Sequence, residues 1–402
     1  MISVDEALQI LHENIPVPQT KTVSLEDAYS RCLSADIKAP ESSPRYTNSA
    51  MDGFALKWSD CTTVSKQCPA KLQIIGESQA GIPFEGEVIP GTAIRISTGA
   101  MLPAGADTVV RVEDTETSED QVAIFAVRAL GQDVRHEGEE FKAGDLLFRK
   151  GDTLGSRELA LLATVGLSKV PVFTKPSVSL LVTGTELAPP DVTDIKPHQI
   201  RDSNSIMLAS AVREAGAILR STSHVKDSLE QTIDAVKQAA ESGDNIILCS
   251  GGVSVGRHDH VKDAALAAGF VELFWKIRQK PGKPLFVCRR EDTLLFGLPG
   301  NPVSAFMCFF NYVRPVLAEL QGVTSANHSL TAKASKRVSN KGNRTNFIRV
   351  TVEDKANELA VFKEMAQQGS HMLSSIVHAD GYIVLEPGAV LEPDDLIEVF
   401  LF

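Results

Sequence analysis

Three glycine-rich loops that could hold an anion lie close together in the second half of the chain. They are Ser250–Gly256, Lys280–Pro284 and Gly297–Pro302, and each adjoins an apolar run that predicts a buried strand. Glycines let a backbone approach a phosphate closely, and consecutive N–H groups can form an anion-binding nest. Lys280 and Lys283 add positive charge to the second loop. Because loops at the carboxyl ends of strands in an open α/β sheet line one crevice, the three loops together predict a site for a phosphate-bearing ligand.

Each loop also has an ordinary structural interpretation. Ser250–Gly256 fits a tight turn between a strand and a helix, and the Pro-Gly pair at 281–282 fits a type II turn with solvated lysines. Pro299 and Pro302 fit the start of a helix, although the N-terminal N–H groups of a helix also favour an anion. The loops are therefore more informative as a set than singly.

Three carboxylates could join the same crevice. Asp259 follows the first loop and is either a helix cap or a ligand for a divalent cation that bridges phosphates. Glu186 follows the apolar strand Val178–Val182, where a lone loop glutamate is more often solvated than functional. Asp227 precedes the capping-box sequence Ser228–Gln231, so it could serve only to begin a helix.

Two further polar motifs lie outside this segment. Asp52 stands in Asn48–Phe54 beside a glycine, a pair typical of hairpin turns. Thr98 stands in Ser97–Ala100, which resembles a loop closing a strand. Spacing alone does not connect either motif to the crevice.

The elements that must position these residues differ along the chain. From Ser177 to about Gly322, apolar strands alternate with amphipathic helices, which predicts βαβ units and a doubly wound, mostly parallel sheet. A capping box at Ser3–Glu6 begins an N-terminal helix, and short apolar runs after about Ala39 predict a β-rich region. Alternation around Ile348–Val352 predicts a small all-β domain at the end.

Composition excludes several classes of protein. The 402 residues are 43% hydrophobic and 23% charged, with a formal net charge of −11 that argues against a nucleic-acid partner. The six cysteines form no C-x-x-C pair, so we expect reduced core residues. No basic n-region precedes an apolar one, and no apolar run reaches the ~18 residues of a membrane span, so we expect a cytoplasmic protein without a membrane partner.

Five motifs, in order, resemble those of the molybdopterin molybdenumtransferase (MoeA) family, which shares its core with the E domain of gephyrin. They are Asn48–Phe54, Ser97–Pro103, Ser250–Gly256, Lys280–Pro284 and Gly297–Pro302. The resemblance implies an N-terminal split domain at 1–44 and 141–175 and a β-rich lasso domain at 45–140. It also implies an α/β domain like that of molybdopterin adenylyltransferase at 176–322 and a C-terminal β-barrel-like domain at 323–402.

The resemblance further implies a reaction and a set of site residues. Family members convert adenylylated molybdopterin and molybdate to molybdenum cofactor and AMP with a divalent cation, here expected to be Mg²⁺. They are homodimers whose cleft is shared between subunits, and molybdopterin adenylyltransferase and apo-molybdoenzymes are further expected partners. The implied catalytic residues are Asp52, Thr98, Glu186, Asp227 and Asp259, of which Asp259 and Glu186 would hold the metal. The expected substrate-binding residues are Ser250, Gly251, Gly252, Lys280, Lys283, Pro299, Asn301 and Pro302.

Two positions depart from the family pattern. Arg257 stands where an acidic residue is common after the first loop, and Thr185 replaces the aspartate of a G-D-E-L sequence beside Glu186. Either the metal site is altered, or Arg257 binds the oxyanion directly. These departures leave open a molybdopterin-binding scaffold without catalysis. A second alternative is adenylyl transfer from ATP to molybdopterin, because the α/β domain resembles that enzyme.

Overall fold

Three six-stranded sheets organise the protein, each centred on a different part of the sequence. The computed structural model describes residues 1–253, 259–323, 328–353 and 359–402. Among these residues, no helix is both long enough and apolar enough to cross a membrane.

The N-terminal half contains the first sheet and the helices α1 (Val4–Asn14) and α2 (Ser156–Thr164). The predicted capping box begins α1, since the Ser3 Oγ accepts the Glu6 N–H (3.1 Å) while the Glu6 carboxylate accepts the Ser3 N–H (2.7 Å). The strands of this half are β1 (Thr20–Ser24), β2 (Ile37–Lys38), β3 (Asn48–Ser49), β4 (Gly53–Leu56), β5 (Ala70–Ser78), β6 (Thr92–Ile96), β7 (Thr108–Arg111), β8 (Thr115–Thr117), β9 (Gln121–Ile124), β10 (Val134–Arg135), β11 (Leu146–Phe148) and β12 (Lys169–Phe173).

The six-stranded sheet of this half has the order β7-β4-β6-β5-β9-β8. Two short antiparallel pairs, β1 with β12 and β2 with β11, join the start of the chain to the segment before Ser177. The polypeptide therefore leaves this region to build the sheet and then returns to it.

The second sheet is the predicted doubly wound one. Its segment contains the strands β13 (Ser177–Thr183), β14 (Leu187–Ala188), β15 (Ile200–Arg201), β16 (Ile218–Val225), β17 (Ile246–Ser250), β18 (Val271–Trp275), β19 (Gln279–Lys280), β20 (Phe286–Arg290) and β21 (Thr293–Leu298). Its helices are α3 (Asn204–Glu214), α4 (Leu229–Glu241), α5 (Val261–Ala267), α6 (Pro302–Cys308) and α7 (Arg314–Leu320). The order is β16-β13-β17-β21-β20-β18, in which the first four strands are parallel and β20 is antiparallel to both neighbours. Helices cover both faces, which explains why β13 and β17 are buried along their whole length.

The amphipathic helix that is predicted to start at Pro302 is interrupted. A π-helical segment, Phe309–Val313, separates α6 from α7. Apolar periodicity in the sequence does not reveal this π-helical segment, because the buried face of the helix continues through it.

The third sheet closes into a C-terminal barrel. The C-terminal segment contains the strands β22 (Ser329–Ala334), β23 (Val338–Ser339), β24 (Thr345–Glu353), β25 (Ala360–Glu364), β26 (Gly381–Leu385), β27 (Val390–Leu391) and β28 (Leu396–Leu401), with a short helix α8 (Ser374–Val377). Of these strands, β23 and β27 pair only with each other. Since β24 pairs with both β25 and β26, the order β24-β25-β22-β28-β26 returns to its start. In addition, β19 of the α/β segment pairs with β24 and joins the two domains.

Two local predictions are wrong. Ser228 stands at the N-cap of α4, but its side chain makes no capping bond, so the predicted capping box does not form. Instead the Ser228 carbonyl accepts the Thr232 hydroxyl (2.8 Å). The six cysteines are all free, yet Cys68 is exposed and only the other five are core residues.

Candidate functional site

A cleft of about 730 Å³ opens at the carboxyl ends of β13, β17 and β21, where the sequence predicts a crevice. We call it the α/β cleft. The predicted site residues that line it are Glu186, Asp227, Asp259, Ser250, Gly251, Gly252, Pro299, Asn301 and Pro302. The structure thus brings together nine residues from four loops of the α/β segment.

Glycine is required where the first loop meets its neighbours. Gly251 has φ +91°, and a Cβ there would lie 2.9 Å from both the carbonyl oxygen and the hydroxyl of Thr183. Its N–H donates to the carbonyl of Leu298 (3.0 Å), the last residue of β21. The first and third glycine loops are therefore fixed to each other at the floor of the cleft.

Asn204 strengthens this junction from below. Its buried Nδ2 donates to the Ser250 Oγ (2.8 Å) and to the Gly300 carbonyl (2.9 Å), so one amide joins the two loops. Its Oδ1 is buried and has no hydrogen-bond partner among the residues described. No local signal in the sequence reveals the role of Asn204 in the cleft.

Thr185, one of the departures from the family pattern, holds a predicted catalytic carboxylate. Its N–H (2.9 Å) and its hydroxyl (2.8 Å) both donate to the Asp227 Oδ2. A threonine here therefore supplies two donors to Asp227, where an aspartate would add a second negative charge. The N-cap position of α4 is occupied by Ser228, not by Asp227.

Asp202 is a buried carboxylate of the cleft wall. Its Oδ1 accepts the Ser205 N–H (3.0 Å), which is a capping bond to α3, and its Oδ2 lies 2.8 Å from the His224 Nε2. Burial opposes its charge, but the hydrogen bonds from Ser205 and the imidazole outweigh burial and hold the pKa of Asp202 below its usual value.

The described lining is acidic. It contains four carboxylates and one guanidinium, that of Arg201. This guanidinium donates to the carbonyls of Pro189 (3.0 Å) and Pro190 (3.2 Å). The carboxylates are Glu186, Asp202, Asp227 and Asp259. An anionic substrate therefore needs positive charge from outside this lining.

Lys280 and Lys283 lie beside the cleft rather than in its lining. Both are exposed on the turn that ends at Pro284, and Pro284 itself lines the cleft. The turn is closed by the Ile277 N–H, which donates to the Lys283 carbonyl (2.9 Å). The lysines are thus available at the rim.

The C-terminal barrel adds a wall that sequence reasoning missed. His371 and Leu373 line the cleft, and Ser370 beside them bonds the third glycine loop. The Ser370 carbonyl accepts the Val303 N–H (3.2 Å), and its Oγ accepts the Asn301 Nδ2 (3.2 Å). No motif within this loop predicts its place, because the barrel and the α/β sheet meet only in three dimensions.

A fully buried arginine supports that loop. The Arg349 N–H donates to the Gln368 side chain (3.2 Å), and the Gln368 amide donates back to the Arg349 carbonyl (2.9 Å). Its Nη2 reaches the Gly369 carbonyl at 3.5 Å, and its Nε and Nη1 have no partner among the described residues. Burial lowers the pKa of this guanidinium.

The two predicted residues of the N-terminal half contact each other. The Thr98 N–H donates to the Asp52 Oδ1 at 2.7 Å, which we call the Asp52–Thr98 contact. Neither residue is part of the described lining of the α/β cleft. Arg257, the other departure from the family pattern, lies outside the described residues.

Comparisons with known proteins cover the whole chain. The model for the MoeA N-terminal region (domain I and II) matches residues 2–166, and that for the MoeA C-terminal region (domain IV) matches residues 331–402. Between them, residues 179–319 match the "Probable molybdopterin binding domain".

Individual relatives agree with these models. Molybdopterin molybdenumtransferase 2 of Mycobacterium tuberculosis is 35% identical over 99% of this chain and 97% of its own length. The molybdopterin molybdenumtransferase of Haemophilus influenzae is 33% identical over 96% of this chain and 95% of its own length. A crystal structure of the molybdopterin biosynthesis MoeA protein from Pyrococcus horikosii superposes with a TM-score of 0.86 at 30% identity, covering 100% of this chain and 99% of that one. The chain therefore belongs to the molybdopterin molybdenumtransferase family of molybdenum cofactor biosynthesis.

Proposed function

We propose that this enzyme inserts molybdenum from molybdate into adenylylated molybdopterin and releases AMP. The α/β cleft carries the proposal, because three glycine loops, four carboxylates and a lysine-bearing rim meet at one edge of the sheet. Such a site suits a ligand with a phosphate at one end and a reacting oxyanion at the other.

Different groups of the site would bind the two anionic substrates. The backbone at Ser250–Gly252 and at Asn301–Pro302 would hold the phosphates of the pterin nucleotide, since glycines there allow close approach. Lys280 and Lys283 would offset the charge of molybdate at the rim. Both anions must be held side by side, so this positive charge lowers the repulsion that otherwise opposes their reaction.

A divalent cation fits the acidic lining. Mg²⁺ commonly takes one or two protein carboxylates and completes its shell with water and substrate phosphates. Among the residues that the structure describes, no group of three or more His, Cys, Asp or Glu side chains could hold a metal by itself, so substrate phosphates would supply the remaining ligands. Glu186 and Asp259 would hold the ion, which would polarise the scissile phosphoryl group. Thr185 keeps Asp227 oriented beside them through its two hydrogen bonds.

The proposed enzyme is a homodimer in which each cleft is completed by its partner. Asp52 and Thr98 match family motifs but do not line the cleft of their own chain. A second copy of this chain would bring them to it, with Asp52 acting through its carboxylate and Thr98 through its hydroxyl. Molybdopterin adenylyltransferase would supply the substrate, and apo-molybdoenzymes would receive the product.

Purified protein tests the reaction directly. With adenylylated molybdopterin, molybdate and Mg²⁺, we expect AMP release that depends on molybdate. Absence of AMP under conditions in which a family member is active would contradict the proposal. Consumption of ATP with unmodified molybdopterin would instead indicate adenylyl transfer, and tight binding without turnover would indicate a scaffold.

A further inference from the structure

A buried polar pair lies beneath the turn that carries Lys280 and Lys283. Gln279 and Tyr312 are both fully buried, and the Tyr312 hydroxyl donates to the Gln279 Oε1. Burial raises the pKa of this phenol, so the hydroxyl stays protonated and remains a donor. Polar groups in such a position are costly unless each has a partner, so the pair calls for a structural or functional reason.

The other end of the Gln279 side chain reaches the tip of the turn. Its Nε2 donates to the Gly282 carbonyl (3.3 Å) and approaches the Cys308 Sγ (3.5 Å), and that thiol donates to the same carbonyl (3.6 Å). The carbonyl of the residue between the two lysine positions is therefore held from below by two side chains.

The turn has no room to shift toward these side chains. Gly282 has φ +93°, and a Cβ there would lie 2.6 Å from both the Cys308 Sγ and the Gln279 Nε2. The glycine tip is thus packed directly on the Gln279 amide.

Both partners are themselves fixed by larger elements. Tyr312 lies in the π-helical segment Phe309–Val313, and such a segment changes the direction of the side chains that it carries. On the opposite side, β19 pairs with β24 of the barrel, and the Arg344 Nη1 donates to the Gln279 carbonyl (3.4 Å). The lysine turn is therefore held between a helix and the barrel.

We propose that Gln279 and Tyr312 are positioning residues. They hold the Lys280–Lys283 turn in the position at the rim of the α/β cleft in which the two lysines bind molybdate. The inference rests on the proposed function, because it takes molybdate as the anion that the lysines bind. An apolar pair of the same size would fill the same space but could not hold the Gly282 carbonyl. The polar pair thus serves the rim of the cleft rather than the core alone.

The test separates positioning from stability. Tyr312→Phe leaves the Gln279 Oε1 without its donor, so we expect a lower melting temperature and a dissociation constant for molybdate that rises about tenfold. The double variant Gln279→Met with Tyr312→Phe removes both polar partners at nearly constant volume. It should recover most of the melting temperature while its molybdate binding stays about tenfold weak.

Tyr382→Phe is the matched control. Tyr382 is a second buried tyrosine, whose hydroxyl donates to the Asn311 Oδ1 (2.7 Å) of the same π-helical segment. Its loss should lower the melting temperature and leave molybdate binding unchanged.

Calorimetric titration with molybdate alone measures the binding of each variant. The inference is overturned if the double variant binds molybdate like the wild type, if the control weakens binding equally, or if the wild type binds no molybdate. Absence of AMP release by a wild type that binds molybdate would contradict the proposed function, and the comparison of variants would still decide the inference.

Discussion

The α/β cleft and the Asp52–Thr98 contact show two different ways of presenting polar residues. In the cleft, the loops after the parallel strands β17 and β21 are bonded to each other through Gly251 and Asn204, and four carboxylates line the cavity. In the N-terminal half, a single carboxylate bonds a neighbouring amide and lies outside that cavity. The first arrangement has the geometry of a preformed site, whereas under the proposed function the second would supply one half of a site.

The surroundings of the Asp52–Thr98 contact support this interpretation. The Asp52 carbonyl accepts the Val112 N–H (3.1 Å), and Asp133 accepts two hydrogen bonds from Arg111 (2.8 and 2.9 Å) while its carbonyl holds the Ala50 N–H (2.8 Å). Asp52 is therefore fixed in a rigid frame although its carboxylate is exposed. Rigid support of an exposed carboxylate is what a contribution to a neighbouring subunit requires.

The largest effect is expected in the cleft. Under the proposed function Asp259→Asn removes a metal ligand and its charge, so the rate of AMP release should fall by about three powers of ten. Asp263→Asn removes an exposed carboxylate from α5 and should leave the rate unchanged. Steady-state AMP release measures both variants, and an active Asp259→Asn variant would remove this residue from the metal site.

A smaller loss is expected at the Asp52–Thr98 contact. Asp52→Asn keeps an acceptor for the Thr98 N–H but loses the charge, so we expect AMP release about tenfold to a hundredfold slower with unchanged melting temperature. Asp107→Asn is the control, since that carboxylate also bonds a backbone amide, that of Trp58 (2.7 Å), in the same half. Equal losses in the two variants would show that the effect is not specific to Asp52.

A still smaller loss of activity is expected when the hydrogen bonding of Thr185 to Asp227 is weakened. Thr185→Val removes the hydroxyl donor but keeps the N–H, so we expect kcat to fall about twofold to tenfold. Thr185→Ser keeps the hydroxyl and should restore most of the rate. A valine variant with wild-type kcat would show that Asp227 needs no such support.

The smallest effect concerns acid stability in the frame around Asp52. The Arg111 guanidinium holds the pKa of Asp133 below its usual value, so this carboxylate stabilises the fold above its unfolded pKa of about 3.9. That contribution is lost as the pH falls through the lower folded pKa. Asp133→Asn should therefore reduce the free energy of unfolding slightly at pH 7 and flatten its decline below pH 4. Denaturant titrations at both pH values check this, with Asp120→Asn as an exposed control that should resemble the wild type.

The sequence predicts the cleft well because its parts are local. Apolar runs locate β13, β17 and β21, and glycines mark where their loops approach one another. Once the strands are known to be parallel, their carboxyl ends must meet at one edge. Nine of the predicted residues line the cleft for this reason.

Contacts between distant elements are what the sequence does not reveal. Asn204 has the appearance of a helix start, and nothing nearby in the chain points to its bonds with Ser250 and Gly300. His371 enters from the barrel, and the π-helical segment hides within a continuous apolar stripe. The predicted capping box at Ser228 does not form, and the neighbouring Asp227 bonds Thr185, which is far from it in sequence.

Subunit complementation tests the shared site most directly. Heterodimers of Asp52→Asn and Asp259→Asn chains can be made with different tags and purified by both. If each cleft takes its Asp52 from the partner chain, one cleft has both changes and the other has neither. If Asp52 completes the partner's cleft, these heterodimers should release AMP at about half the wild-type rate, while each variant homodimer stays nearly inactive. Heterodimers as inactive as the homodimers would place both residues in the same chain's site and contradict a cleft shared between subunits.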